Sequence, residues 1–212
     1  MRSYVLAVSL LLASSVDAAH GPHPNKGLTV KTTSGTYTGL VNSTAAPDVN
    51  QWLGIPYARP PLGPRRFMPP EKAPNYGHAD AKAYKSICFQ NSGTKSSLYW
   101  QLLPEFMNRD VQSEDCLYLN IWAPRKPVGG KKKKKVPVIV WVVGGGFKEG
   151  GGHALYQVPD QWVQRMQTHI VVTFKCDVLL FHWVRSCADL LAVTAFTSLV
   201  SLGRRPQART LG

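Results

Sequence analysis

Val136-Pro137-Val138-Ile139-Val140-Trp141-Val142-Val143-Gly144-Gly145-Gly146-Phe147 is the stretch on which the fold turns. Its first eight residues are apolar without alternation, the pattern of a strand covered on both faces inside a mostly parallel sheet. The run stops at three glycines. Backbone free of side chains at the C-terminal end of an inner strand lets two N–H groups point into a cavity, where they can meet an oxygen that gains negative charge. Gly144 to Gly146 therefore make a candidate oxyanion turn, although turns and linkers also contain glycine triplets.

Downstream, Pro159 and Asp160 open a predicted helix on which Trp162, Val163 and Met166 share a face, and Ile170 to Phe174 returns as a second buried strand. Strand, helix and strand in this order predict a βαβ unit and an α/β fold. Upstream, Leu117 to Ala123 reads as a strand, and Val49 to Ile55 as an extended piece ended by Pro56. Leu28 to Val41, rich in Thr and Val and broken at Ser34-Gly35, predicts a β-hairpin. Arg59-Pro60-Pro61-Leu62-Gly63-Pro64 predicts a rigid loop without regular structure. Between Pro69 and Asp115 the periodicity is poor and turn residues are frequent, so a long, loop-rich excursion is expected there, in need of fastening.

The N-terminus predicts export. Arg2 precedes an apolar run from Tyr4 to Leu12, and small residues follow at Ser14, Ser15, Val16 and Ala18. The run is too short to cross a hydrocarbon core of roughly 30 Å, so residues 1–18 read as a signal peptide, with the mature chain starting at Ala19 or His20. A secreted, extracellular product can hold oxidised cysteines and N-glycans: Cys88, Cys116, Cys176 and Cys187 allow three pairings, and Asn42-Ser43-Thr44 is a glycosylation sequon. Removing 18 residues from 212 leaves 194, enough for one core of ordinary size. The formal net charge of +13 raises nucleic acid as a partner, but Lys131 to Lys135 supply five of those charges in one run, which a solvated loop between two strands explains better. No nucleic-acid partner is expected. No His, Cys and carboxylate cluster has metal-ligand spacing, so neither a metal nor a cofactor is expected.

Ser113-Glu114-Asp115-Cys116-Leu117-Tyr118-Leu119-Asn120-Ile121-Trp122-Ala123-Pro124 resembles the signature of the type B carboxylesterases, the family that also contains lipases and cholinesterases. Gly54-Ile55-Pro56-Tyr57-Ala58 through Pro60-Pro61 and Gly63, then Arg66-Phe67, is similar to that family's opening block. With the glycine turn these make three ordered blocks, and the resemblance spans residues 27–174. It implies the N-terminal part of an α/β-hydrolase fold, incomplete here, with a mixed, mostly parallel sheet and an N-terminal hairpin. It further implies that Gly145 and Gly146 are the oxyanion donors, that Cys88 pairs with Cys116, and that Arg66 lies against Glu114. A bridge between those cysteines would fasten the loop-rich excursion. An Arg66–Glu114 pair would tie the opening block to the signature strand.

Two departures stand inside the resemblance: Val143 occupies the place before the glycines where the family has His or an aromatic, and Lys175-Cys176-Asp177 replaces an Asn-Tyr-Arg-like continuation. Members also need a Ser on a Gly-x-Ser-x-Gly elbow, an acid and a His, in that order. No Gly-x-Ser-x-Gly occurs in the 212 residues; Ser201-Leu202-Gly203 is an echo with Leu199 in place of glycine, and His153, His169 and His182 read as surface or packing residues. The expected domains are thus a signal peptide (1–18), a partial carboxylesterase domain (19–174) and a non-family tail (175–212), frame-shifted or intron-derived. Leu190 to Leu202 is apolar, but His182, Arg185 and Asp189 interrupt the region, and no membrane span is expected. The expected activity is hydrolysis of a small-molecule or lipid ester in the full-length form, absent from this polypeptide because the nucleophile is missing. A non-catalytic adhesion or interaction protein of the same fold is the alternative. Missing sheet strands would leave Val136 to Val143 and Ile170 to Phe174 with incomplete cover and exposed strand edges.

Overall fold

A computed structural model describes residues 28–90, 98–103, 105, 111–125, 136–144 and 149–175. The signal segment, the lysine run and the tail beyond Lys175, with Cys176 and Cys187, lie outside the described residues. The N-terminal hairpin forms as expected: β1 (Thr29–Thr32) pairs antiparallel with β2 (Gly35–Thr38), and β5 (His78–Asp80) adds parallel to β2.

A second, five-stranded sheet runs in the order β3 (Leu40–Asn42), β4 (Ala46–Pro56), β6 (Tyr118–Pro124), β8 (Ile170–Phe174), β7 (Val138–Val142). Its side chains alternate between two cores, because successive residues of a strand point to opposite faces. Leu119, Ile121, Ile170, Val172 and Phe174 enter one core; Trp122, Val171, Val49 and Leu53 enter the other. Within β4 the alternation is reset by a register shift between Trp52 and Ile55, where Gly54 has a φ of 73°. Helix α2 (Asp160–Met166) covers the second core through Val163. The excursion between β5 and β6 holds α1 (Leu98–Leu102) and isolated bridges, and is loop-rich as expected.

The βαβ unit is present: α2 connects β7 to β8, which pair in parallel, Val138 opposite Ile170 and Val142 opposite Phe174. Among the described residues this is the one parallel pairing of the large sheet; β3/β4, β4/β6 and β6/β8 are antiparallel. The sheet is mixed, as expected, but this part of it is mostly antiparallel. Parallel neighbours need a crossover, and α2 supplies one between β7 and β8.

Three further expectations change. Val136 to Val143 was expected to be covered on both faces, yet β7 is the last strand of the described sheet, with Val140, Trp141 and Val142 exposed at 37%, 47% and 66%. Local apolarity marks a strand that seeks cover without supplying the partner. β8 is instead the doubly covered strand, buried at all five positions, so the expected exposure applies to β7 alone. On α2, Val163 is buried while Trp162 and Met166 are exposed. Successive helical residues are about 100° apart, so Trp162 turns away from the face that Val163 presents to the sheet. Finally, the proline-rich loop contains one 3-10 turn, Gly63–Arg65, closed by the Arg66 N–H donating to the Gly63 carbonyl at 3.0 Å.

Candidate oxyanion site

Parallel pairing puts the C-terminal ends of β7 and β8 side by side, the end of an α/β sheet where ligands are bound. The chain leaves β7 through Val143 and Gly144 and is described again from Glu149; Gly145 and Gly146 lie outside the described residues. The neck of this turn is closed. Gly150, at a φ of 149°, lies so near that a Cβ there would stand 2.8 Å from Val143 Cγ1 and 2.9 Å from the Gly144 oxygen. Gly152 backs onto β8, where a Cβ would meet Thr173 Oγ1 at 2.9 Å.

A buried polar chain reaches this neck through the sheet. The Gly54 N–H donates to Asn120 Oδ1 at 2.9 Å, Asn120 Nδ2 donates to Thr173 Oγ1 at 3.2 Å, and the Thr173 hydroxyl donates to the Gly152 carbonyl at 2.5 Å. Each buried polar group in the chain therefore has a partner, which keeps the sheet interior rigid beneath the turn. Sequence reading had placed Asn120 and Thr173 within strands without giving either a role. A polar residue at an inward position of an otherwise apolar strand was the available signal.

Cys88 and Cys116 are joined by a disulfide, Cα–Cα 5.0 Å, and both are buried. Arg66 Nε lies 2.6 Å from Glu114 Oε1, and the guanidinium stands 4.8 Å from the Phe67 ring centre. With the arginine side chain 57% exposed, this pair contributes about 1 kcal/mol or less and serves alignment more than stability. Asn42 is exposed at the far edge of the sheet from β7, and its Oδ1 accepts from the Thr44 and Ala45 N–H groups at 3.2 and 3.0 Å. His153 is buried and stacks on Tyr84 at 4.4 Å; His169 is buried against Trp162 at 4.4 Å. His182 and Ser201 lie outside the described residues. Among the described residues no group of three His, Cys, Asp or Glu could hold a metal ion, and no helix is long and apolar enough to cross a membrane.

Lys175, the first residue of the departure from the family pattern, is nevertheless docked. It is buried, its ammonium donates to the Lys85 carbonyl and, at 2.8 Å, to that of Ser86, and its carbonyl accepts from the Tyr57 hydroxyl at 2.5 Å.

Burial pushes the Tyr118 phenol far above the usual tyrosine range, and its hydrogen bond with Asp115 adds to the shift. The folded protein thus holds this proton more tightly than the unfolded chain does. Its stabilising contribution is complete below about pH 10 and is lost as pH rises beyond that. Tyr118→Phe is expected to flatten the alkaline limb of stability against pH, followed by urea unfolding; a limb as steep as the wild type's would refute the assignment.

A mixed sheet with a β-hairpin ahead of it and a parallel βαβ unit whose first strand runs out into glycine defines the N-terminal part of an α/β-hydrolase. Consistent with this, a thermophilic pNB esterase of known structure superposes with a TM-score of 0.58 at 33% identity, over 70% of this chain and 28% of that one. The model of the carboxylesterase family matches residues 26–181, and the chain belongs to that family. Chlorogenic acid esterase of Aspergillus niger is 43% identical over 176 residues, 83% of this chain and 34% of the relative. Secreted lipase 5 of Gibberella zeae is 34% identical over 187 residues, 81% of this chain and 34% of the relative. The chain therefore spans about a third of the length of these two relatives.

Proposed function

We propose that this chain carries the oxyanion half of the active site of a secreted carboxylic-ester hydrolase. In the complete enzyme a serine attacks the ester carbonyl, the alcohol leaves, and water releases the acid from the acyl-enzyme. Gly145 and Gly146 donate their backbone N–H groups to the tetrahedral oxyanion. The observation that carries this reading is that Gly144 leaves the C-terminal end of β7 beside the parallel end of β8, with Gly150 packed on Gly144 and Gly152 on Thr173 of β8. Small-molecule or lipid esters are the substrates, and the protein acts outside the cell after loss of residues 1–18. Asn42, exposed at the end of β3 where the chain turns, is the glycan acceptor.

The family domain is proposed to run from residue 19 to 174, with 175–212 as a non-family tail. No Gly-x-Ser-x-Gly occurs in residues 1–212, so this polypeptide by itself is proposed to be inactive. Losing the catalytic unit of a comparable serine enzyme costs about 10⁶ in kcat. Purified mature chain is expected to hydrolyse a p-nitrophenyl ester no faster than buffer and to take up no fluorophosphonate; a rate abolished by an organophosphate would overturn this. A second reading, a non-catalytic interaction protein of the same fold, would be supported by a partner retained in a pull-down by a cooperatively melting chain.

A further inference from the structure

Arg65 to Met68 form a type II β-turn with an unusual residue at its third position. Arg66 has a φ of −61° and a ψ of 134°, Phe67 has a φ of 60°, and the Met68 N–H donates to the Arg65 carbonyl at 3.2 Å. That third position calls for glycine or asparagine, because a side chain on left-handed backbone crowds the following carbonyl. Phenylalanine stands there without a core to offset the strain. Phe67 and Met68 are each 58% exposed, and Leu62, whose carbonyl accepts from the Arg65 N–H at 3.1 Å, is exposed beside them. Polar contacts hold the turn instead: Arg66 is paired with Glu114 and stands over the Phe67 ring, and Arg65 Nε donates to the Pro60 carbonyl at 3.1 Å. Strain of this kind collects at functional positions.

Charge and place fix the kind of partner. Residues 59 to 72 hold four basic side chains, Arg59, Arg65, Arg66 and Lys72, and one acidic, Glu71. Arg59 pairs with Glu71 at 3.3 Å and Arg66 with Glu114, whereas Arg65 and Lys72 make no ion pair among the described residues. Apolar side chains projecting from a basic loop match a surface that carries anionic headgroups over hydrocarbon. The loop also leaves β4 at Pro56, which pairs with Tyr118 at the start of β6, and Leu119 of β6 pairs with Phe174 at the end of β8. It therefore emerges at the end of the sheet where β7 and β8 run out, the end assigned to the ester.

We infer that the turn from Arg65 to Met68, with Leu62, is a docking knob for an anionic lipid surface. Phe67 and Met68 enter the boundary between headgroups and acyl chains, and Arg65 and Lys72 meet the headgroups. The knob deepens the ester-hydrolase reading and rests on it for its purpose, which is to bring the reacting end of the sheet to esters packed in a lipid surface. Holding the turn in its docked shape beforehand lowers the entropy lost on binding.

The test sediments the mature chain with vesicles of phosphatidylcholine, with and without phosphatidylglycerol. Wild type is expected to follow the vesicles that contain phosphatidylglycerol and to be released by salt, which screens the headgroup attraction. Phe67→Gly separates docking from folding. Glycine relieves the left-handed backbone, so the urea midpoint is expected at or above that of the wild type. Partition onto the vesicles is expected to fall about tenfold or more, with the loss of one buried aromatic. A residue that served only to pack the fold would lower both readings together. Met68→Ser, outside the left-handed position, is expected to weaken partition with the midpoint unchanged. Phe67→Gly sedimenting as the wild type does, or a wild type that stays in solution with every vesicle, would overturn the proposal. So would a vesicle-free dimer that Phe67→Gly dissolves, since the knob would then belong to a second copy. The readout does not use ester chemistry, so it stands or falls apart from the hydrolysis assay.

Discussion

Loss of the Cys88–Cys116 bridge is expected to lower the stability of the mature chain by about 3 to 4 kcal/mol, the chain-entropy value for closing a loop across a sequence separation of 28. A domain holds only about 5 to 15 kcal/mol in total, so this is a large fraction of what keeps it folded. Elsewhere the segment is held mainly through side chains, by Lys175 on the Lys85 and Ser86 carbonyls, by Tyr84 stacked on His153 and by Gln90 bonded to Gly150. Between β5 and β6 the described regular structure amounts to α1, and the ends of the excursion meet through the Ile87 N–H donating to the Val111 carbonyl at 3.0 Å and the Ser113 N–H donating to that of Ile87 at 2.9 Å. Those two bonds are made by residues within three positions of the bridged cysteines in sequence, at Ile87 and Ser113. The measurement is the urea midpoint with and without reductant, repeated on the Cys88→Ala/Cys116→Ala double variant. Reductant should shift the wild type and leave the double variant where it is, already destabilised. A wild-type midpoint indifferent to reductant, with the bridge shown to be open, would sink the prediction.

Trp122→Ala should cost about 3 to 5 kcal/mol, the usual penalty for emptying a large aromatic site in a core. Trp122 is fully buried on β6, among Ala46, Val49, Leu53, Val163 and Val171, with the Tyr84 ring 6.5 Å away. Because Val163 is the buried residue of α2, a cavity here also loosens the helix that links β7 to β8. Trp122→Phe separates two effects. The indole N–H has no hydrogen-bond partner among the described residues, and an unsatisfied buried donor costs about 1 to 3 kcal/mol. Phenylalanine removes that donor while keeping most of the ring, so its destabilisation should be less than half that of alanine. Equal losses in the two variants, from denaturant midpoints, would show that ring packing does not hold this core together.

The βαβ order and the signature strand were legible because each rests on local pattern: an apolar run, a helical period, a motif of fixed spacing. Their consequences held where neighbours in sequence are neighbours in space, as in the hairpin around Gly35 and in the parallel alignment of β7 with β8. Val140, Trp141 and Val142 show the limit. An apolar run reports that a strand is suited to burial, whereas the strand that lies beside it belongs to another part of the chain.

Gln90 marks the same limit at the site. In sequence it is one more polar residue in a loop-rich stretch, 60 positions from the glycine it bonds. The contact between Gln90 and Gly150, the chain from Gly54 through Asn120 and Thr173 to Gly152, and the edge position of β7 were decided by tertiary structure alone. They depend on which distant backbone groups folding brings within hydrogen-bond reach, and no local periodicity encodes that distance. The residue types, the order of the strands and the glycines free to approach a neighbouring backbone were determined by the sequence, because steric freedom and hydrophobicity are properties each residue carries with it.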